Sequence, residues 1–286
     1  MKGPIARRCA VLLVAMLAGL LAGCDVEQFV QEGQEPTAAP LPTIGPVTAR
    51  PGAAGTWTVL LYQDADDQVL ERDIFIDLNE AELVGSTDRV TVVAQLDRFS
   101  GAFAGDGNWT GTRRYLVTQD NNLETIGSQV LADLGEVDMG NKQTLVDFAS
   151  WAIQAYPAEN YVLILSDHGA GWLGGWSDNA PRRGSTMRMQ DIDEALAQVL
   201  ANTGIARFEL VGFDACLMGQ LEVFSAVSPH ARYAVASEET EPALGWAYAE
   251  FLAGLNNNPG WTGRELGQAI VQSYVDSDRR ITDAGA

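Results

Sequence analysis

The chain has 286 residues, of which 47% are hydrophobic, so it is long and apolar enough to bury one large domain or two small ones. It carries 38 acidic and 18 basic side chains, which give a formal net charge of −20. This composition argues against a disordered chain and against nucleic-acid binding, which needs Lys and Arg contacts to phosphates. The negative charge serves solubility or attracts basic substrates.

The N-terminal segment has the pattern of a bacterial export signal. Residues 1–8 are basic, and residues 9–20 form an apolar run that is short for a membrane-spanning helix. The run ends in LAGC at residues 21–24, which resembles the lipobox of bacterial lipoproteins. This resemblance implies that residues 1–23 are a cleaved signal peptide and that Cys24 carries lipid. An ordinary signal peptide with an incidental cysteine is the alternative. Acyl chains on Cys24 would anchor an exported domain on the extracytoplasmic side of the cell envelope.

The prolines and the cysteines define the start of the folded domain. Residues 24–55 contain five of the eleven prolines, which predicts an extended linker followed by a domain over residues 56–286. Cys9 leaves with the signal and Cys24 takes the lipid, so Cys216 is the cysteine of the domain. A thiol in an oxidising compartment is either buried in the core or used in a chemical reaction, and these observations leave both alternatives open for Cys216.

Downstream of the linker, short apolar runs alternate with segments of helical spacing. Strands are predicted at residues 57–62, 90–96, 161–166, 208–213 and 233–237, with a hairpin arm at residues 113–118. Helices are predicted at residues 67–84, 142–156, 189–200, 217–227 and 263–275. This alternation indicates an α/β fold with helices on both faces of a mainly parallel central sheet. Such sheets bind ligands beyond the carboxyl ends of their strands.

Two strand ends carry the groups that nucleophilic catalysis needs. His168 follows the strand at 161–166, and Cys216 follows the next strand along the chain. Neighbouring strands lie about 4.8 Å apart, so an imidazole there can take the proton of a thiol. The helix predicted from residue 217 favours a thiolate at Cys216, and backbone amides at such a terminus suit an oxyanion. His230, in a Ser-Pro-His-Ala turn, is predicted to be exposed and non-catalytic.

These motifs together resemble the clostripain family of cysteine peptidases, which has a caspase-like fold. The resemblance extends from about residue 56 to about residue 276, and it rests on residues 57–71 (WTVLLYQDADDQVLE), 161–172 (YVLILSDHGAGW), 210–223 (LVGFDACLMGQLEV) and 233–248 (YAVASEETEPALGWAY). It implies a caspase-like three-layer α/β/α sandwich and a cysteine endopeptidase with Cys216 as nucleophile and His168 as base. Clostripain-like proteins usually continue beyond this point, which leaves open whether residues 56–286 are a truncated copy.

The resemblance also implies roles for neighbouring residues. The amides of Gly169 and Cys216 would form the oxyanion hole. Asp214, two residues before the cysteine, would line the specificity pocket and favour Arg or Lys before the scissile bond, since a partly buried carboxylate is stabilised by a cation. A turn-forming or helix-capping aspartate is the alternative for Asp214. A binding module on the same cell-surface fold, without activity, is the alternative for the whole domain.

Two further expectations come from the same resemblance. Family members often cut themselves in the loop after the histidine, where Arg182 and Arg183 form a basic pair; an ordinary exposed pair is the alternative. The chemistry needs no cofactor, although some members depend on calcium, for which Asp64, Asp66 and Asp67 are the candidate ligands. Their spacing does not fit an EF-hand, and capping of a helix explains them more simply. The expected partners are proteins or peptides that contain Arg or Lys, and the membrane through the lipid.

Overall fold

The computed structural model of the protein describes residues 54–180 and 184–276. The predicted signal peptide, Cys24, nearly all of the linker and the basic pair Arg182 and Arg183 lie outside the described residues. No helix within the described ranges combines the length and apolarity needed to cross a bilayer.

The described part of the chain forms a seven-stranded sheet in the order β4-β3-β2-β1-β5-β8-β9. The strands of this sheet and of a small β6–β7 ribbon are β1 (Trp57–Ala65), β2 (Val90–Arg98), β3 (Gly111–Leu116), β4 (Gln129–Gly135), β5 (Asn160–Ser166), β6 (Gly175–Ser177), β7 (Thr186–Met187), β8 (Phe208–Asp214) and β9 (Ala231–Ala236). Strand β1 pairs in parallel with both β2 and β5. Strand β8 pairs in parallel with both β5 and β9. Strands β3 and β4 add an antiparallel edge. The prediction of a mainly parallel sheet is therefore confirmed.

Helices cover both faces of this sheet, and they are α1 (Glu71–Glu82), α2 (Lys142–Ala155), α3 (Met189–Thr203), α4 (Leu221–Val227), α5 (Tyr248–Asn257) and α6 (Gly263–Asp276). Alternate residues of β1 enter two separate cores: Leu60 packs with α2, α3 and α4, whereas Leu61 packs with α1, α5 and α6. A strand buried on both faces is apolar throughout, which explains the continuous run at the start of the domain. The three-layer α/β/α sandwich of the caspase-like prediction is confirmed.

Some predicted boundaries are wrong, and the largest error concerns the helix after Cys216. Helix α4 begins at Leu221 and not at residue 217. The amides of Leu217 and Gly219 donate to the carbonyl oxygens of Glu239 and Ser237, and Leu217 has a left-handed φ of 63°. This pairing holds Cys216 and Leu217 in a turn that is not continued as a helix, because backbone bonds to a distant segment replace those of a helical turn.

Other elements and ends also differ from the prediction. Helix α1 begins at Glu71, because β1 continues to Ala65 and the residues between them form a turn. Strand β4 was not predicted, since it is a largely exposed edge strand without a clear apolar alternation. The ribbon β6–β7 and helix α5 were also not predicted. Helix α3 runs to Thr203 and ends at Gly204, whose φ of 74° is readily adopted only by glycine.

Candidate active site

The candidate site lies at the carboxyl ends of two adjacent parallel strands. Ser166, the last residue of β5, is paired in register with Asp214, the last residue of β8. The segment with His168 and Gly169 leaves β5 at the same edge of the sheet at which Cys216 leaves β8. The sheet therefore brings together the two motifs that are 48 residues apart in sequence.

His168 and Cys216 line the same pocket, which has a volume of about 140 Å³. The first turns of α1 and the segment between β9 and α5 form its other walls. The pocket is lined by Val69, Leu70, Ile74, Asp77, Ser166, Asp167, His168, Asp214, Ala215, Cys216, Glu241, Pro242, Ala243 and Gly245. Apart from its acidic groups it is largely apolar, as a site for a side chain of a ligand would be.

Asp67 is the partner of His168. Its Oδ1 lies 3.4 Å from Nε2 of His168, and the same oxygen accepts hydrogen bonds from the amides of Val69 and Leu70. Burial opposes the charged imidazolium, but the hydrogen bond to Asp67 and the charges of Asp167 and Asp67 outweigh it, so the pKa of His168 is raised. Asp67 thus orients the imidazole and also caps the turn before α1.

The backbone of Gly169 lies against the backbone of Cys216. A Cβ atom on Gly169 would come within 2.1 Å of the Cys216 carbonyl oxygen and 3.0 Å of its amide nitrogen. Gly169 also forms an antiparallel bridge with Gly175, whose two hydrogen bonds are made by the flanking residues His168, Ala170, Gly174 and Trp176. In such a bridge the amide of the central residue points away from its partner, so the Gly169 amide is directed away from Gly175.

Cys216 is 6% exposed, and its Sγ accepts a hydrogen bond from the amide of Glu241 at 3.4 Å. The other cysteines of the chain, Cys9 and Cys24, lie outside the described residues. Because α4 begins five residues later, the dipole of that helix does not act directly at Cys216, which corrects the argument made from sequence.

The floor of the pocket is acidic and includes more than Asp214. Oδ2 of Asp214 accepts hydrogen bonds from the hydroxyl of Tyr248 at 2.8 Å and from the amide of Trp246 at 3.1 Å. Burial, followed by the charge of Asp214, raises the pKa of Glu241 to about 9. A Cβ on Gly245 would lie 2.7 Å from Oδ2 of Asp77 and 2.9 Å from Oδ2 of Asp214, which places both carboxylates beside Gly245.

Sequence reasoning had missed Asp67 as the partner of the histidine, and Asp77 and Glu241 as parts of the pocket. Asp67 and Glu241 do lie in two of the matching sequence blocks, at residues 57–71 and 233–248. Their position in these blocks was the available signal, but nothing in the sequence assigned them to the pocket.

The three aspartates considered for calcium lie in different surroundings. Asp64 is buried within β1, opposite Asp97 of β2, and Asp67 faces His168. Asp66 is grouped instead with Glu136 and Asp178. The capping explanation holds for Asp67 and does not hold for the other two.

His230 is buried, which corrects the prediction that it is exposed. It is 7% exposed, and its Nε2 lies 2.6 Å from Oδ1 of Asp193 in α3. It lies at the start of β9, at the amino edge of the sheet, and it is not among the residues that line the pocket.

Comparison with known proteins identifies the family of the chain. The sequence model of the clostripain family matches residues 61–284. The chain belongs to the clostripain family. Clostripain from Hathewaya histolytica is 27% identical to this family member over an alignment of 191 residues, and the match covers 58% of this chain and 35% of the relative.

Solved structures of similar fold are proteases of the same family. A secreted C11 cysteine protease from Bacteroides thetaiotaomicron, in complex with an irreversible peptide inhibitor, superposes with a TM-score of 0.61 at 22% identity over 77% of this clostripain-family chain and 58% of its own. An inactive zymogen C11 protease from Parabacteroides distasonis gives a TM-score of 0.55 at 17% identity, over 80% and 61%. The chain therefore spans about a third of its curated relative and less than two thirds of these structures.

Proposed function

We propose that this protein is a cysteine endopeptidase that cleaves after Arg or Lys. The observation that carries the proposal is the shared pocket: His168, Cys216 and the carboxylates of Asp77, Asp214 and Glu241 line one cavity at the ends of β5 and β8. Its membership of the clostripain family supports the reaction class, and the acidic floor supports the preference for a cation.

In the proposed reaction, Asp67 accepts the Nε2 proton of His168, so Nδ1 is the basic nitrogen. Nδ1 takes the proton of the reduced Cys216, and the thiolate attacks the peptide carbonyl carbon. As the C–N bond breaks, His168 returns the proton to the leaving amine and a thioester forms. Water then loses a proton to His168 and attacks the thioester, which releases the acid and the thiolate. His168 finally returns this proton to Cys216.

The oxyanion of the tetrahedral intermediate would be held by the amides of Gly169 and Cys216. Two observations support this assignment: the two backbones are in close contact, and the bridge to Gly175 directs the Gly169 amide away from β6. Backbone donors held in this way need no reorganisation during the reaction, and each one contributes about 10²–10³-fold to the rate.

The specificity pocket would select a cation because its carboxylates are buried. Asp214 is 5% exposed and Asp77 is 1% exposed, so water screens their negative charges only weakly. A bound Arg or Lys side chain would balance this negative charge, and it would also favour ionisation of Glu241, whose pKa burial and Asp214 raise. Selection of a basic residue then follows because an apolar side chain brings no positive charge into the pocket.

The proposal extends to export and maturation. Cys24 would carry the lipid that anchors the protein outside the cytoplasm, and the secreted relatives support export. Arg182 and Arg183 lie between β6 and β7, which pair with each other, so a cut there falls in the connection of a ribbon beside the active site. Mass spectrometry of the mature protein tests both parts, and the double variant R182A/R183A should abolish an internal cut.

The experiment that tests the activity uses the full chain under reductant, with and without calcium. Fluorogenic peptides that end in Arg, Lys, Asp or Leu are compared for the native protein and for Cys216→Ala and Asp214→Asn. We expect cleavage after Arg and Lys that disappears in the first variant. The second should lose about 10–100-fold of its preference for Arg over Leu, because a charge-assisted bond contributes about 1.5–3 kcal/mol. Asp193→Asn is the matched control.

The outcomes separate the two functions considered for this fold. No hydrolysis of any of the four peptides by the reduced protein would favour the inactive binding module at the cell surface. Hydrolysis that persists in Cys216→Ala would remove Cys216 as the nucleophile. Cleavage with equal efficiency after Leu and Arg would leave a peptidase but overturn the role of Asp214.

A further inference from the structure

Two of the acidic side chains in the pocket, those of Asp214 and Glu241, are in direct contact and are called the acid pair below. They come from different segments: Asp214 ends β8, and Glu241 lies in the connection from β9 to α5. Trp246 binds both, since its amide donates to Oδ2 of Asp214 at 3.1 Å and its indole N–H donates to Oε1 of Glu241 at 3.3 Å. A hydrogen bond also joins the two acidic side chains themselves.

A hydrogen bond between two carboxyl groups requires a proton on one of them. Ionised carboxylates are acceptors only, so two of them in contact repel each other. Oδ2 of Asp214 accepts the hydroxyl of Tyr248 and the amide of Trp246, two donors that stabilise an ionised carboxylate. Burial and the charge of Asp214 raise the pKa of Glu241 to about 9. The proton of the acid pair therefore lies on Glu241, and Asp214 accepts it in the hydrogen bond.

The described residues around the acid pair supply little positive charge. Those that line the pocket include no Lys or Arg. The titratable groups that face the acid pair from the surrounding elements are Asp77 of α1, Asp167 and His168 after β5, Cys216 after β8 and Tyr248 of α5. Of these groups, only His168 can carry a positive charge, and its Nε2 already lies 3.4 Å from Oδ1 of Asp67. A cation that would balance two ionised carboxylates must therefore come from the ligand.

We propose that the acid pair holds one proton while the pocket is empty, and that a basic side chain of the substrate displaces this proton when it binds. The inference rests on the proposed function and makes Glu241 a specificity-determining residue. A guanidinium or ammonium group beside the acid pair favours ionisation of Glu241, the proton passes to water, and the cation then meets two carboxylates instead of one. An apolar side chain leaves the proton in place.

This exchange makes the selectivity of the pocket depend on pH. Burial and Asp214 raise the pKa of Glu241 in the empty pocket, and a bound cation lowers it, so a proton is released between the two values. Binding of the cation then strengthens by up to about tenfold for each pH unit, until the pH reaches the value of about 9 in the empty pocket. Ionisation of His168 and Cys216 affects every peptide alike. The ratio of kcat/KM for an Arg peptide to that for a Leu peptide therefore isolates the acid pair.

Proton release is measured by calorimetry on the full chain in the Cys216→Ala background, so that the peptide is bound but not cleaved. The probe is an acetylated tripeptide amide that ends in arginine, titrated near neutral pH in phosphate and in Tris, two buffers with different ionisation enthalpies. The difference between the two binding enthalpies gives the number of protons released, and we expect about 0.7–1 per peptide. Binding without release would overturn the exchange. Absence of binding would overturn the basic-residue pocket, and the exchange with it.

Glu241→Gln is the decisive variant, because glutamine has the size of the neutral acid and donates to Asp214 but has no proton to release. Release should fall below about 0.2 per peptide. In the active enzyme, the Arg-to-Leu ratio of kcat/KM should rise at least about tenfold from about pH 6 to pH 8, and in Glu241→Gln it should change less than about twofold. The ratio also cancels any effect on the nucleophile, since the amide of Glu241 donates to Sγ of Cys216.

Glu238→Gln is the matched control, because it removes an exposed acid from the same connection between β9 and α5. It should keep both the proton release and the rise of the ratio with pH. Cleavage after Arg with a ratio that does not depend on pH would overturn the exchange and leave the proposed peptidase intact. Proton release that persists in Glu241→Gln would place the proton on another group and overturn the role of Glu241.

Discussion

The two histidines of the chain lie at opposite edges of the same sheet, and each lies beside an aspartate, His168 half-buried and His230 buried. His168 follows the carboxyl end of β5, with Asp67 at 3.4 Å from its Nε2. His230 precedes β9 at the amino edge, with Asp193 at 2.6 Å, and its carbonyl oxygen accepts the amide of Phe208 at the start of β8. Considered without their surroundings, the two histidine–aspartate pairs consist of the same chemical groups.

The two histidine–aspartate pairs differ in the groups that surround them. At the carboxyl edge, the segments after β1, β5, β8 and β9 converge on a pocket that holds a cysteine and four acidic side chains. At the amino edge, the pair of His230 and Asp193 connects α3 to the turn before β9. A buried histidine with an aspartate is therefore not by itself a mark of catalysis; the edge of the sheet on which it lies decides what it can reach.

The largest expected difference in activity between the two edges comes from replacing each histidine. His168→Gln should lower kcat/KM for an Arg peptide about 10²–10⁴-fold, because it removes the proposed base. His230→Gln should leave kcat/KM within about twofold and lower the free energy of unfolding by about 1–2 kcal/mol, through a lost buried hydrogen bond. Peptide hydrolysis and urea unfolding of both variants check this. Equal losses of activity would show that both edges serve the reaction.

A smaller effect is expected from adding one methyl group at each edge. Gly169→Ala would press a Cβ against the Cys216 carbonyl oxygen, and we expect kcat to fall about 10²-fold with little change in KM, through a displaced oxyanion donor. Gly260→Ala meets open space close to Pro259, whose carbonyl accepts the indole N–H of Trp57 at the amino end of β1. This control should match the native enzyme. A rise in KM alone for the first variant would argue against an oxyanion hole there.

Each histidine has an aspartate beside it, Asp67 or Asp193. Only the loss of Asp67 should change the pH dependence of kcat/KM. Because Asp67 helps to raise the pKa of His168, Asp67→Asn should lower that pKa and move the acidic limb of kcat/KM to lower pH. The maximal rate should fall by about tenfold through poorer orientation of the imidazole. Asp193→Asn should leave the limb in place. If the limb of the Asp67 variant does not move, Asp67 serves the turn before α1 and not the histidine.

The smallest effect concerns the dependence of stability on pH. Burial raises the pKa of both Asp167 and Glu136 to about 7. Between their unfolded values near 4 and these folded values, the native state holds protons that the unfolded chain has lost, so stability should fall as pH rises. Asp67 has a lowered pKa and acts only below that window. Thermal unfolding between about pH 4 and pH 7 measures this slope, which Glu136→Gln should flatten and Asp193→Asn should not.

Sequence reasoning identified the site residues that belong to a local sequence pattern and missed those that do not. His168 and Cys216 follow apolar strands directly, so their approach followed from the parallel order of the sheet. Asp67 was read as a helix cap, which is one of its contacts, but its distance to His168 depends on the path of the chain after β1. Asp77 lies in a helix with no local mark of function, and the Asp178 carboxylate joins Asp66 from 112 residues away in sequence.

The sequence by itself determined the α/β class, the two strand ends with His168 and Cys216, and membership of the clostripain family. Apolar runs, helical spacing and motifs are local, and a short segment of chain is enough to encode them. Only the tertiary structure decided that α4 begins at Leu221, that His230 is buried, and that separate segments bring Asp66, Glu136 and Asp178 together. These features depend on hydrogen bonds and burial between distant segments, which exist only once the sheet has formed.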